Sequence, residues 1–384
     1  MKNISYFTDK YFTRAKAVLE HEGLNPIVRA QVFLRQGPGV VAGMEEVITL
    51  LKEHTPVFCN LSVLRDGETY QSEETILIIE AHIQDIIELE TIYLGILSAE
   101  ITKRNTEYDL DFTDIMHNME EIVSLVDPRP VSYFGARHWR YDYDPQIAYN
   151  AFLGGAANCS TDAGAMSNNG STGVGTIPHA LQNIMAWKYG YRQAVVKSLE
   201  AFNDTFDLSV TRVSLIDFSN EEINCAIDSA RLLGKDLYGI RIDTCGENVM
   251  QGACKCKEDY SLFRVWQNPM ELDIPPEDEK YWFGTGVTVS GVYSVKRILA
   301  ECGYGWVNIM LSSGFGNAEK VKAFLRAEHI LNTQLFDSLG VGGIFPAWTA
   351  TMDIVGVKGT WEEDFQPISK IGRKYKPNDR LVKY

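Results

Sequence analysis

Five short stretches hold the side chains best suited to chemistry: Tyr133–Arg137 (YFGAR), Gly175–His179 (GTIPH), Arg241–Thr244 (RIDT), Ser312–Phe315 (SSGF) and Gly340–Gly343 (GVGG). Together they supply two arginines, a histidine, an aspartate and several glycines. Arginine grips carboxylates and phosphates with a rigid fork of donors. Glycine lets backbone N–H groups come close to a phosphate. Aspartate orients ribose hydroxyls or meets a Mg2+ ion. The set suits an anionic substrate together with a phosphorylated sugar.

Each stretch also has a plainer reading. Arg137, with Arg140 three residues on, is either an anion clamp or a surface arginine paired with Asp142 or Asp144, and alone the pair reads first. His179 follows Pro178, which suits the first turn of a helix. A helix N-terminus disfavours imidazolium, so a neutral, phosphorylatable or phosphate-binding histidine stands level with a packing one. Arg241 and Asp243 alternate onto one strand face, where they need a ligand or each other. Asp217 ends an apolar run and meets a ribose hydroxyl or a metal, or caps the helix starting near Asn220; alone, the cap reads first. Ser313-Gly314 and Gly342-Gly343 are ordinary turns or the backbone phosphate site common after the last strands of a barrel. The chain has no GxxxxGK[ST], and its Gly-rich run 170–175 follows no clear strand, so P-loop and dinucleotide folds are disfavoured.

The elements that must position these residues change character along the chain. Up to about Asn105 they are mixed: helix from Thr13 to His21, strands Ile27–Leu34, Pro56–Leu64 and Thr75–Glu80, helix Met44–His54, and a broad apolar helix over 83–102. From about Pro130 short strands alternate with helices: Ser132–Phe134, Gly175–Pro178, Thr211–Asp217, Tyr238–Asp243, Trp306–Leu311 and Leu339–Val341 are the strands. Repeated β-α units imply parallel strands and, most economically, an α/β barrel with its site at the C-terminal strand ends; a doubly wound open sheet is the alternative. Residues 246–283 interrupt the pattern with Cys254, Cys256, Asn268-Pro269 and an acidic Pro-containing run. With Cys245 the spacing is C-x8-C-x-C, which lacks the paired spacing of structural zinc, so a plain cysteine-containing loop outranks a metal site. Met352–Val357 is strand-like, and the basic tail after it returns to the N-terminal part.

The chain has 384 residues and a net charge of -15, from 36 basic and 51 acidic residues. That balance disfavours nucleic acid and anionic membranes, which need a basic face. No basic head with an apolar run opens the chain, and no apolar stretch approaches a bilayer span, so a cytoplasmic protein with its seven cysteines reduced is expected.

The motifs in series resemble the nicotinate phosphoribosyltransferases, within the type II phosphoribosyltransferases. Phe7-Thr8-Asp9-Lys10-Tyr11-Phe12 is similar to the family's T-D-x-Y-F opening, Glu90 to Gly95 to its E-T-x-x-L-G helix, Phe134 to Arg137 to F-G-x-R, and Gly175 to Ala180 to G-T-x-P-H-A. Arg241-Ile242-Asp243 and Gly340-Val341-Gly342 follow in order. The resemblance implies an incomplete TIM-like α/β barrel (126–344, with the insertion at 246–283) carrying an N-terminal α/β sandwich domain (1–125) completed by C-terminal strands (345–384). It implies transfer of phosphoribose from phosphoribosyl pyrophosphate to nicotinate in NAD biosynthesis, with Mg2+ and, in many members, ATP coupled through a phosphohistidine at the His179 position. It implies a homodimer in which Asp9 and Tyr11 of one subunit close the partner's site. In that scheme His179, Arg241 and Asp243 are catalytic. Arg137 takes the nicotinate carboxylate, beside Tyr11 and Phe134. Thr176 and Asp217 complete the substrate contacts, with Asp217 and Asp243 on ribose or metal. Ser313, Gly314, Gly342 and Gly343 take the 5′-phosphate. The chain departs from the pattern at Ser312-Ser313-Gly314, where S-G-G is common, and at Gly342-Gly343, where G-T is common. Quinolinate or nicotinamide as the base, or a nucleotide-binding sensor without activity, are the alternatives.

Overall fold

The computed structural model describes residues 4–55, 59–168, 170–259 and 272–384. The start of the expected strand at 56–58 and Asn268-Pro269 lie outside the described residues.

Two sheets organise the chain. The first is antiparallel, in the order 350–358, 27–34, 75–82, 60–63, 382–383, so strands from the C-terminal end complete a sheet begun at the N-terminus. Strand Ile27–Leu34 is second in that order, paired on both sides, and is buried along almost its whole length. The second sheet has six parallel strands in the order Asn158–Cys159, Val131–Tyr133, Ser338–Val341, Asn308–Leu311, Leu237–Ile242, Arg212–Leu215. The parallel strands are apolar on both faces because helices such as Glu222–Leu233, Val289–Glu301 and Ala318–Leu331 cover them. The architecture is the incomplete TIM-like α/β barrel with an antiparallel sandwich at its side that the resemblance implied.

Gly175–Pro178, expected as a strand, is not one. Gly175 has φ 137° and Pro178 has no N–H to give a ladder. The segment crosses the gap between the outer strands Asn158–Cys159 and Arg212–Leu215 instead, and helix His179–Tyr189 starts directly after it.

Helix Glu90–Asn105 joins the two parts. It is buried on nearly every side, which fits a helix that is apolar all round. A Cβ at Gly95 would stand 2.3 Å from the Trp139 carbonyl oxygen, so only glycine lets the helix lie against the loop that carries Arg137. Ser98 donates to the Arg137 carbonyl (3.1 Å) and accepts from the Ala350 amide (2.9 Å). One helix thereby ties the first sheet, the arginine loop and the returning C-terminal strand.

Candidate active site

Two cavities of about 480 Å³ and 440 Å³ lie side by side at the C-terminal ends of the parallel strands. Tyr11, Arg137, His138, Arg241, Asp243 and Ser313 line both, so the two form one cleft.

One end of the cleft is built from glycine turns. Phe134, Ser312, Ser313, Gly314, Gly342 and Gly343 line it. Ser313 has φ 70° and Gly314 φ 87°. Ser313 therefore holds the left-handed backbone that glycine favours, at a cost of roughly 1–2 kcal/mol. Its hydroxyl donates to the Thr244 carbonyl (3.2 Å). Helix Ala318–Leu331 begins just beyond, capped by Asn317, whose side chain accepts from the Glu319 amide. A glycine turn running into a helix N-terminus is a ready anion site. Lys320 bends back from that helix to donate to the Ser313 carbonyl (2.9 Å), and burial brings its pKa down to about 8.

The middle of the cleft carries Arg241 and Asp243. They project from the end of strand Leu237–Ile242 onto one face, 3.7 Å apart, as their spacing predicts. Ser312 donates its hydroxyl to Asp243 Oδ1 (2.9 Å). The Arg241 guanidinium lies 5.9 Å from the centre of the Tyr11 ring.

The other end is a buried charge cluster. Arg137, in the short turn Ala136–His138, donates to Glu90 Oε1 at 2.7 Å rather than to Asp142 or Asp144. Burial pushes the Glu90 carboxyl up to about 8 against the pull of Arg137. Burial also opposes the Arg137 charge, but Tyr11, Glu90 and Asp9 hold that charge in place. His138, beside it, stays neutral because burial and Arg137 bring its pKa down to about 4.

His179 lines the first cavity and its Nε2 lies 2.9 Å from Asp217 Oδ1. Burial and Lys370 keep the ring neutral against the pull of Asp217. Asp217 is fully buried, with Lys370 on its second oxygen. Although burial works against the carboxylate, Lys370 and His179 hold it well below the usual range.

Two expectations change. Asp217 faces neither ribose nor a helix end, because both oxygens are taken by His179 and Lys370. Thr176 lines neither cavity, because its hydroxyl donates to the Val213 carbonyl (2.6 Å) across the barrel gap. Tyr11 lines the cleft of its own chain. Asp9 is buried and exchanges hydrogen bonds with Thr91 (2.9 and 3.0 Å), and the Lys10 amide donates to Ser160. That stitching swings Tyr11 against Arg137 and Arg241 of the same chain. Arg35, Glu90, Lys370 and Arg373 also line the first cavity and were not singled out from sequence. The Glu90 signal lay inside a quoted motif; the other three carry none.

Among the described residues no three His, Cys, Asp or Glu side chains gather as a metal site. Mg2+ held mainly by substrate phosphates needs only one or two carboxylates, and Asp243, on both cavities, fits that demand. Among the described residues no helix is long and apolar enough to cross a membrane.

Residues 9–100 match the family profile of the quinolinate phosphoribosyl transferase N-terminal domain. A nicotinate phosphoribosyltransferase from Porphyromonas gingivalis superposes with a TM-score of 0.61 at 14% identity, over 100% of this chain and 96% of that one. One from Vibrio cholerae gives 0.61 at 12% identity, over 95% and 87%. The chain shares its fold with these two nicotinate phosphoribosyltransferases. No curated protein matches the sequence. A nicotinate-nucleotide pyrophosphorylase from Pyrococcus furiosus is 28% identical over 96% of this chain and 77% of that one, with a TM-score of 0.43.

Proposed function

We propose that the protein is a nicotinate phosphoribosyltransferase, forming nicotinate mononucleotide and pyrophosphate from nicotinate and phosphoribosyl pyrophosphate in NAD biosynthesis. The observation that carries this is the two-ended cleft, with a half-buried arginine paired to buried Glu90 at one end, glycine turns at the other, and Arg241 and Asp243 between them. The glycine turns suit the 5′-phosphate, Asp243 the ribose hydroxyls, and Arg137 the base carboxylate against the Tyr11 ring. The reaction passes through an oxocarbenium-like sugar, so catalysis is positioning and charge stabilisation more than covalent chemistry. Mg2+ would be met by Asp243 and would neutralise the departing pyrophosphate. Arg241, Lys370 and Arg373 each already meet a carboxylate. Arg137, whose partner Glu90 is held protonated by burial, is then left for a single carboxylate on the base, which suits nicotinate better than quinolinate with two.

In this reading His179, neutral and held by Asp217, accepts phosphate from ATP and couples its hydrolysis to transfer. The same reading makes the protein a homodimer, which a mass measurement in solution tests; Tyr11 reaches the cleft without a partner.

The direct test supplies phosphoribosyl pyrophosphate, Mg2+ and one base at a time, with and without ATP. Mononucleotide from nicotinate alone is expected. Product from quinolinate or nicotinamide reassigns the base, and ligand-induced stabilisation without product makes the protein a sensor.

Two further results are expected. A Cβ at Gly316 would stand 2.3 Å from the Gly343 carbonyl oxygen, so Gly316→Ala must part the two glycine turns. The KM for phosphoribosyl pyrophosphate should rise by roughly tenfold or more, with the nicotinate KM little changed; equal rises in both would remove the phosphate assignment. Below pH 8 Glu90 keeps its proton and leaves Arg137 a full charge for the substrate carboxylate. Above it Glu90 ionises and competes, so the nicotinate KM should climb by up to about tenfold per pH unit. Glu90→Gln should abolish that climb.

A further inference from the structure

Residues 359–384 leave the end of strand Ala350–Lys358 and return to pair Val382–Lys383 with Asn60–Val63. Midway, Lys370 turns inward to the floor of the cleft. Its buried ammonium donates to Asp217 Oδ2 and to the Asp243 carbonyl (3.1 Å). Three contacts pin the segment there. The Ile371 amide donates to the Phe218 carbonyl (3.0 Å), Asn248 Nδ2 to the Ile371 carbonyl (2.7 Å), and Arg373 to Glu247 (2.8 Å).

Burying an ammonium costs several kcal/mol unless its partners are well placed, so this arrangement is not a surface decoration. It divides the Asp217 carboxylate. Oδ2 belongs to Lys370, and Oδ1, 2.9 Å from His179 Nε2, belongs to the ring. A carboxylate free at both oxygens could rotate, or take a proton in this buried position.

We propose that Lys370 is a positioning residue of the active site: by occupying Asp217 Oδ2 it leaves Oδ1 to accept the Nε2 proton of His179, so that Nδ1 is the basic nitrogen of a fixed ring. This rests on His179 being the working group of the cleft, as proposed above. The C-terminal segment is then part of the catalytic machinery rather than an edge of the sandwich.

Nitrogen-15 histidine spectra of the full-length protein test it, with the His179 signals identified by their loss in His179→Gln. The wild-type ring should show a protonated Nε2 and a bare Nδ1. Lys370→Met should give mixed tautomers and lower kcat on the order of 10²-fold, with little change in either KM. Lys370→Arg should restore the single tautomer and most of the rate. If Lys370→Met does not fold, Lys370→Gln, which still donates one hydrogen bond to Asp217, takes its place and should show an intermediate loss. A Lys370→Met protein that melts earlier but keeps the wild-type tautomer and kcat overturns the proposal. The tautomer decides even if the protein transfers no phosphoribosyl group, so this failure is separable from failure of the assigned reaction.

Discussion

Arg137→Ala is expected to raise the KM for nicotinate by roughly 30-fold, the equivalent of about 2 kcal/mol, the lower end for loss of one partner in a charge pair because the guanidinium is about a third exposed while Glu90 is buried. The guanidinium sits at the closed end of the cleft, with Tyr11 beside it and Glu90 2.7 Å away. In the proposed arrangement removing it deletes the cation that meets the base carboxylate. It also strands Glu90, which is already pushed up to about 8 with the arginine present and rises further without it. The variant thus keeps a neutral acid where substrate needs a cation. In the proposed arrangement phosphoribosyl pyrophosphate takes the far end, on the glycine turns, so its KM should hold. Arg137→Lys should recover only part of the loss, because an ammonium cannot match a planar carboxylate with two parallel donors. Steady-state kinetics in both substrates reads all three effects. A fall confined to kcat would mean that Arg137 meets the transition state and not the bound base, and would move the carboxylate site elsewhere.

Which residues met in the cleft was legible where the cue was local. Arg241 and Asp243 share a face because a strand alternates, and both project into the cleft. Ser313, Gly314, Gly342 and Gly343 follow apolar strands, and strand ends gather at one rim of a parallel sheet. The strand assigned to Gly175–Pro178 failed because β-α alternation was extended over a glycine and a proline that cannot hold a ladder. Asp217 was ambiguous between a cap and a ligand, and it is neither; its partner Lys370 lies 153 residues away in a tail with no periodic pattern. Arg373 arrives in the same way, through docking of the C-terminal segment, and shares Glu247 as a partner with Arg35 from the other end of the chain. No spacing rule reports contacts of that kind. The placement of Tyr11 turned on whether the opening segment packs on its own chain, which Thr91 and Ser160 decide.

Asp217→Asn is expected to destabilise the fold by about 3–5 kcal/mol, because it leaves a buried ammonium without its counter-charge. With an unfolding entropy of about 2.1 cal/mol/K per residue, a chain of this length should melt roughly 4–6 °C lower. The pH dependence of that deficit identifies its origin. Asp217 is held below the usual carboxylate range, so its contribution is present above the unfolded value of about 3.9 and is lost as pH falls through the folded one. Burial opposes the Lys370 charge, but Asp217 overrides it and raises the pKa. The lysine's contribution is therefore complete below its unfolded value of about 10.4 and is lost as pH rises through the folded one. The stability gap between wild type and variant should be widest between these limits and should narrow on both sides. Urea unfolding at a series of pH values measures it. A gap that stayed constant with pH would mean that the substitution acts through packing, and that the carboxylate is not the anchor of the Lys370 ammonium it touches.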